Sequence, residues 1–244
     1  ELVTVVTRLS ERGGLGVLVD PARTGARAAE ELARRAAGEG VALLLLGNSF
    51  GSDGNRDAVA RAIKRGAPEV PLLQFPATAS QLTHEVDAVL FLSLVSGRNP
   101  QYLIEEHVRA VPFLEAHPEV EFISTAYCLV DGGRVTSVEA VSQTRPLPAD
   151  KPELVAAHVR AAHAIGMRAT YLDAGSGAAR PVHPALVGAA RSAATGPLFV
   201  GGGVCHADGV RAARDAGADV VVVGTLFESS GERAVRELAL AARA

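Results

Sequence analysis

Tryptophan is absent from this chain, and aromatic residues make up only 4% of it. A pocket walled by a large aromatic cage is therefore not expected. Cysteine is nearly absent as well, with Cys128 and Cys205 the only two. Two thiols do not make a disulfide framework, which predicts a reduced, cytoplasmic setting. Basic excess is missing: 24 Lys and Arg stand against 27 Asp and Glu, for a net charge of -3. That excludes nucleic acid as the expected partner, since nothing is available to neutralise a phosphate backbone. Phosphate recognition must instead be local and built mostly from main-chain N–H groups. No apolar run reaches the roughly 18 residues of a membrane helix, so no transmembrane segment is expected. The first residues carry no basic-then-apolar leader.

The 244 residues suit one large α/β domain, and 48% of them are hydrophobic. A domain of this size buries roughly 70–75% of its unfolded surface, so core size does not limit the fold. Short apolar runs alternate with longer segments rich in Ala, Arg and Glu. The runs at 14–20, 41–47, 71–75, 87–94, 120–125, 168–173, 197–202 and 219–224 read as buried strands. Residues 24–38, 56–65, 100–116 and 151–165 read as helices, with Thr24 as an N-cap, and further helices follow the later strands. Asp131-Gly132-Gly133 suggests a hairpin continuing strand five. Continuous apolar strands separated by helices imply a parallel sheet covered on both faces. Eight of them in about 250 residues predict a TIM (β/α)8 barrel rather than a doubly wound sheet. No strand–GxGxxG–helix with a following ribose acid is present. No linker divides the chain, so residues 1–244 read as a single domain. Only about 12 residues, from Phe75 to Val86, separate strands three and four, close to the minimum for a whole crossover. This predicts a missing or rudimentary third helix and a gap where a long apolar ligand can lie.

Barrel sites form at the C-terminal ends of strands. There, Tyr171-Leu172-Asp173-Ala174-Gly175-Ser176-Gly177 brings an apolar strand into an acid and a glycine-serine-glycine turn. The Gly201-Gly202-Gly203 and Gly224-Thr225 turns end the next two strands. Glycine lets bare N–H groups approach an anion, so three such turns suggest one phosphate site. The plainer reading is that the glycines only permit tight turns. Asp173 shares a strand face with Tyr171 and is the candidate catalytic group, placed to accept a proton from a substrate hydroxyl or to hydrogen-bond it; otherwise it is a solvated strand-end acid. Asp20 and Ser49, at the ends of strands one and two, are oxygen donors suited to Mg2+; otherwise they form a turn and a cap. Cys205-His206 lacks the partners of a metal cluster, and His206 reads as the start of a helix. His158 and His163 are spaced i, i+5, which does not place them on one helical face.

These motifs carry a resemblance. LVDP (18–21), GNS (47–49), LSLVSGRNPQYLI (92–104), YLDAGSGA (171–178), VGGG and VVGTLFE make the chain similar to the geranylgeranylglyceryl and heptaprenylglyceryl phosphate synthases. YLDAGSGA together with SGRNP is the specific part. The resemblance implies a barrel lacking its third helix, and transfer of a prenyl group, geranylgeranyl or longer, from its diphosphate to sn-glycerol 1-phosphate. It implies Mg2+ on Asp20 and Ser49, glycerol phosphate on residues 171–177, Gly202, Gly203, Gly224 and Thr225, and an essential acid at Asp173. A homo-oligomer and transient contact with a membrane surface are also implied. The chain departs from the family pattern at Arg23, where Lys is frequent, at Asn48 and Ala77, where Gly is frequent, and in Ser124-Thr125-Ala126-Tyr127, where the family has PTGY. Two other readings stand beside this one: a phosphosugar isomerase or cyclase, which calls for a second acid or lysine facing Asp173, and a non-catalytic binder of glycerol phosphate or polyprenyl chains.

Overall fold

The computed structural model describes Val5, Leu9 and residues 13–48, 55–224 and 232–243. Its strands are β1 (Gly14–Val19), β2 (Leu43–Leu46), β3 (Leu72–Gln74), β4 (Ala88–Leu94), β5 (Glu121–Leu129), β6 (Ala169–Asp173), β7 (Leu198–Gly201) and β8 (Val220–Val223). All pair in parallel, each with its sequence neighbour, and β8 returns to β1 to close the barrel. The helices are α1 (Ala26–Gly38), α2 (Arg56–Gly66), α3 (Glu106–Ala116), α4 (Ser137–Ser142), α5 (Pro152–Ala164), α6 (Pro184–Ala193), α7 (Ala207–Asp215) and α8 (Glu232–Ala241).

The strand sequences explain the closure. β2 is four leucines and β8 four valines, all buried, because a parallel strand here has the barrel interior on one face and helices on the other. Alternate residues sort into two layers. Leu43, Leu45, Leu73, Leu90, Ile123, Tyr171 and Phe199 fill the interior. Leu44, Leu46, Leu72, Val89, Leu172 and Val200 pack outward with the helices. Each fully buried Leu or Val contributes roughly 1.5–3 kcal/mol relative to exposure.

The third helix is reduced to one 3-10 turn, Ala79–Gln81, as the short crossover predicts. Two local expectations need correction. The N-cap of α1 is Gly25, one residue after Thr24. The Asp131-Gly132-Gly133 turn makes no hairpin: Val130 forms a parallel bridge with Leu147 instead, because the chain must leave β5 over the barrel rim. The intervening segment forms the short helix α4, too brief to show a helical period in the sequence.

Candidate active site

Asp173 ends β6 facing the barrel interior and is 7% exposed. Its carboxylate is held from two sides. The Tyr127 hydroxyl donates to Oδ2 at 2.6 Å, and the Gly175 N–H donates to Oδ1 at 2.8 Å. Register explains the first bond: β5 sets Tyr127 against Tyr171 and Leu129 against Asp173, so the long Tyr127 side chain reaches the carboxylate. Burial raises the Asp173 pKa, and the two hydrogen bonds, which favour the charged form, oppose that rise only in part. The phenols of Tyr127 and Tyr171 are pushed well above their ordinary value by burial and by the Asp173 charge, so both are neutral.

Asp173 faces a cavity of about 250 Å3. Tyr171, Ser176, Gly177, Gly202, Gly203 and Gly224 line it, brought together from the ends of β6, β7 and β8. No lysine or arginine lines it among the described residues. Two glycines show how the wall is made. At Gly202 the backbone has φ +80°, and a Cβ would lie 2.6 Å from both Asp173 Oδ1 and the Gly175 nitrogen, so the fold itself demands glycine. At Gly224 a Cβ would meet, among the described residues, only Leu18, at 3.8 Å, so no described neighbour demands glycine there. Leu172 and Ala174 point into the layer between barrel and helices, and the Ala174 N–H is taken by the Gly201 carbonyl. Thr225 lies outside the described residues.

A second, apolar cavity of about 60 Å3 lies beside the first, lined by Phe75, Pro76, Ala77, Leu92, Leu94, Tyr102 and Tyr127 among others. Beyond Ala77 the lining continues outward over Leu82, Phe91 and Ala110, through the gap left by the missing helix. Phe75 belongs to both cavities and packs on Tyr171 at 4.7 Å and on Tyr127 at 5.8 Å. Glu106 walls the groove with its charge fully engaged: it accepts from the Ala79 N–H at 2.8 Å, from Gln101 at 3.1 Å and from Arg109 at 2.9 Å. Composition held a signal for this lining. The chain has three tyrosines, and Tyr102, Tyr127 and Tyr171 all line one cavity or the other.

Asp20 follows β1 at the same end of the barrel. Its Oδ1 accepts from the Ala22 N–H at 2.9 Å and from Asn48 at 3.2 Å, while Arg23 approaches Oδ2 at 3.5 Å. Ser49 lies outside the described residues. No group of three or more His, Cys, Asp or Glu able to hold a metal occurs among the described residues. One carboxylate oxygen beside a mouth suits a magnesium ion that takes most of its oxygens from water and ligand. Cys205 is exposed at the cavity edge, while burial pushes the Cys128 thiol up to about 12. His206 occupies the N-cap position of α7 without a side-chain capping bond, and His163 bridges Thr170 and Thr195 at 2.9 and 3.0 Å, a structural part.

With this geometry, the sequence profile of the PcrB family matches residues 10–242. This chain belongs to the PcrB family. It is 40% identical to a geranylgeranylglyceryl phosphate synthase of Spirosoma linguale, over 91% of this chain and 88% of that one. It is 36% identical to the geranylgeranylglyceryl phosphate synthase of Thermofilum pendens, over 93% and 88%. Its structure matches that of (S)-3-O-geranylgeranylglyceryl phosphate synthase from Thermoplasma acidophilum in complex with sn-glycerol-1-phosphate. The TM-score is 0.91 at 26% identity, over 98% of each chain. The modified barrel and the paired cavities of this PcrB chain thus accompany relatives named for joining a prenyl group to glycerol phosphate.

Proposed function

We propose that this chain is a prenyltransferase that joins the hydrocarbon of a prenyl diphosphate, geranylgeranyl or longer, to sn-glycerol 1-phosphate. The observation that carries the reading is the place of Asp173. Its carboxylate opens on the glycine-lined cavity and is bonded to Tyr127, which lines the apolar groove. Glycerol phosphate bound through the β6–β8 turns brings its free hydroxyl to Asp173. The carboxylate takes the hydroxyl proton as the oxygen bonds the allylic carbon. The allylic C–O bond breaks, and diphosphate leaves with the electron pair. Holding the two reactants in adjoining cavities supplies much of the rate.

Asp20, with Ser49, would hold Mg2+, which when bound neutralises the charge gathering on the leaving diphosphate. No second acid and no lysine lines the cavity with Asp173 among the described residues, which favours this reading over an isomerase or cyclase. Cys128 and Cys205 are free, which supports a cytoplasmic setting. No described helix is long and apolar enough to cross a membrane. Ile104, Val108 and Val111 are 56%, 63% and 44% exposed along one helical stripe, which supports a homo-oligomer.

The test is incubation with radiolabelled sn-glycerol 1-phosphate and prenyl diphosphates of several lengths, with and without Mg2+. A labelled ether lipid that requires both donor and Mg2+ is expected. Absence of product with every donor sinks the proposal.

A further inference from the structure

An unbroken chain of side-chain hydrogen bonds joins Asp20 to the turn that replaces the third helix. Asn48 Nδ2 donates to Asp20 Oδ1 at 3.2 Å. Asn48 Oδ1 accepts from Gln81 Nε2 at 2.9 Å. Gln81 Oε1 accepts from the Ala77 N–H at 2.6 Å. The direction is set by the two ends: a carboxylate only accepts and a backbone N–H only donates, so each amide has one satisfactory orientation. Asn48 and Gln81 are each 8% exposed, so water does not readily replace these bonds. Gln74, 1% exposed, secures the same turn from below: its Nε2 donates to the Gln81 carbonyl, and its Oε1 accepts from the Thr83 N–H at 3.0 Å.

The two ends of this relay belong to different parts of the site. Asp20 Oδ1 is occupied by two donors, while Oδ2 meets the exposed Arg23 guanidinium at 3.5 Å, a looser ion pair, so Oδ2 is the oxygen a cation would take in exchange for Arg23. Ala77 and Asn48 line the apolar groove. A glycine, which the resemblance places at position 48, makes neither side-chain bond.

We infer that Asn48 is a positioning residue that couples the diphosphate end of the prenyl donor to its hydrocarbon end. It orients Asp20 for the magnesium-diphosphate group and, through Gln81, sets the Pro76–Ala77 wall of the groove. The inference rests on the proposed role of Asp20. It assigns Asn48 no contact with the reacting atoms.

The experiment measures binding of inorganic pyrophosphate with Mg2+ by calorimetry, using the whole chain and the variants Asp20→Asn, Asn48→Gly, Gln81→Glu and the double variant of the last two. Gln81→Glu keeps an acceptor for the Ala77 N–H but removes the donor to Asn48. Asn48→Gly and Gln81→Glu are each expected to weaken pyrophosphate binding about 5- to 10-fold, the effect of one buried hydrogen bond. The double variant is expected to bind no more weakly than Asn48→Gly, because the relay is already cut. Affinity for glycerol 1-phosphate stays unchanged. In the wild-type protein, pyrophosphate with Mg2+ is expected to slow amide hydrogen exchange across residues 77–83, a measurement independent of variant folding. Unchanged affinity in Asn48→Gly, additive losses in the double variant, or unaltered exchange at 77–83 overturns the relay. If Asp20→Asn binds as the wild type does, or the wild type does not bind, the role of Asp20 fails and the relay with it. If binding needs Asp20 but not Asn48, the relay alone fails.

Discussion

Burial and hydrogen bonding pull the Asp173 carboxyl in opposite directions, and burial wins. A group whose folded pKa is raised is happiest neutral in the fold. Asp173 therefore removes stability as pH rises from its ordinary 3.8 through the raised value. As a base it works only when charged, so the acid limb of kcat/KM should lie above the ordinary carboxylate range. Tyr127→Phe removes a bond that favours the charged form and is expected to move that limb to still higher pH, read from a pH–rate profile. An unmoved limb would show that the Tyr127 bond does not govern the titration. Asp173→Asn removes the base but also the cost of a buried charge. Turnover should fall roughly 10²- to 10⁴-fold, the usual worth of general base catalysis, with the melting temperature kept or raised. Near-wild-type turnover in this variant would remove Asp173 from the mechanism. The acid and its glycine turn were legible as YLDAGSGA. Its partner Tyr127 was not, because the pair is 46 residues apart and meets only through the β5–β6 register.

Among the elements, the three glycine turns differ in what holds them. Gly202 is compelled by its φ and by Asp173 packed against it, whereas Gly224 has space among the described residues. Gly202→Ala should cost roughly 1–2 kcal/mol in left-handed backbone alone, with the clash added. It should lower the melting temperature and raise KM for glycerol 1-phosphate together. Gly224→Ala should leave stability within about 0.5 kcal/mol, as surface-like substitutions do, while KM for glycerol 1-phosphate still rises. An unchanged KM would mean that the ligand does not approach this backbone. The glycine pattern shows equally in both turns from sequence; which glycine serves the fold and which serves the cavity depends on neighbours from other strands. Helix α4 and the absent hairpin teach the same point. Asp131-Gly132-Gly133 has hairpin chemistry, but the strand beside β5 is already β6, so no partner edge is free.

For the whole molecule, the decisive feature is the replaced helix. A complete helix between β3 and β4 would cover the outer face where Phe91, Leu92 and Ala110 now line the way out of the groove. Ala77 lines both the inner and the outer parts of the groove. Ala77→Leu should raise KM for the prenyl diphosphate, and more for longer donors, while KM for glycerol 1-phosphate is unaffected. Equal effects on both substrates would place the hydrocarbon elsewhere.

Sequence alone determined the barrel, its strand order, the shortened third crossover and the glycine turns at the ends of β6 and β7. Each of these is written in contiguous residues: apolar run lengths, loop length and glycine placement act over a few positions. Tertiary structure alone decided that Tyr127 holds Asp173, that Asn48 and Gln81 bridge Asp20 to the groove, and that Leu172 and Ala174 face away from the cavity. The physical reason is closure. Which side chains meet at the mouth depends on the stagger between strands and on β8 returning to β1, and neither is encoded in any single segment.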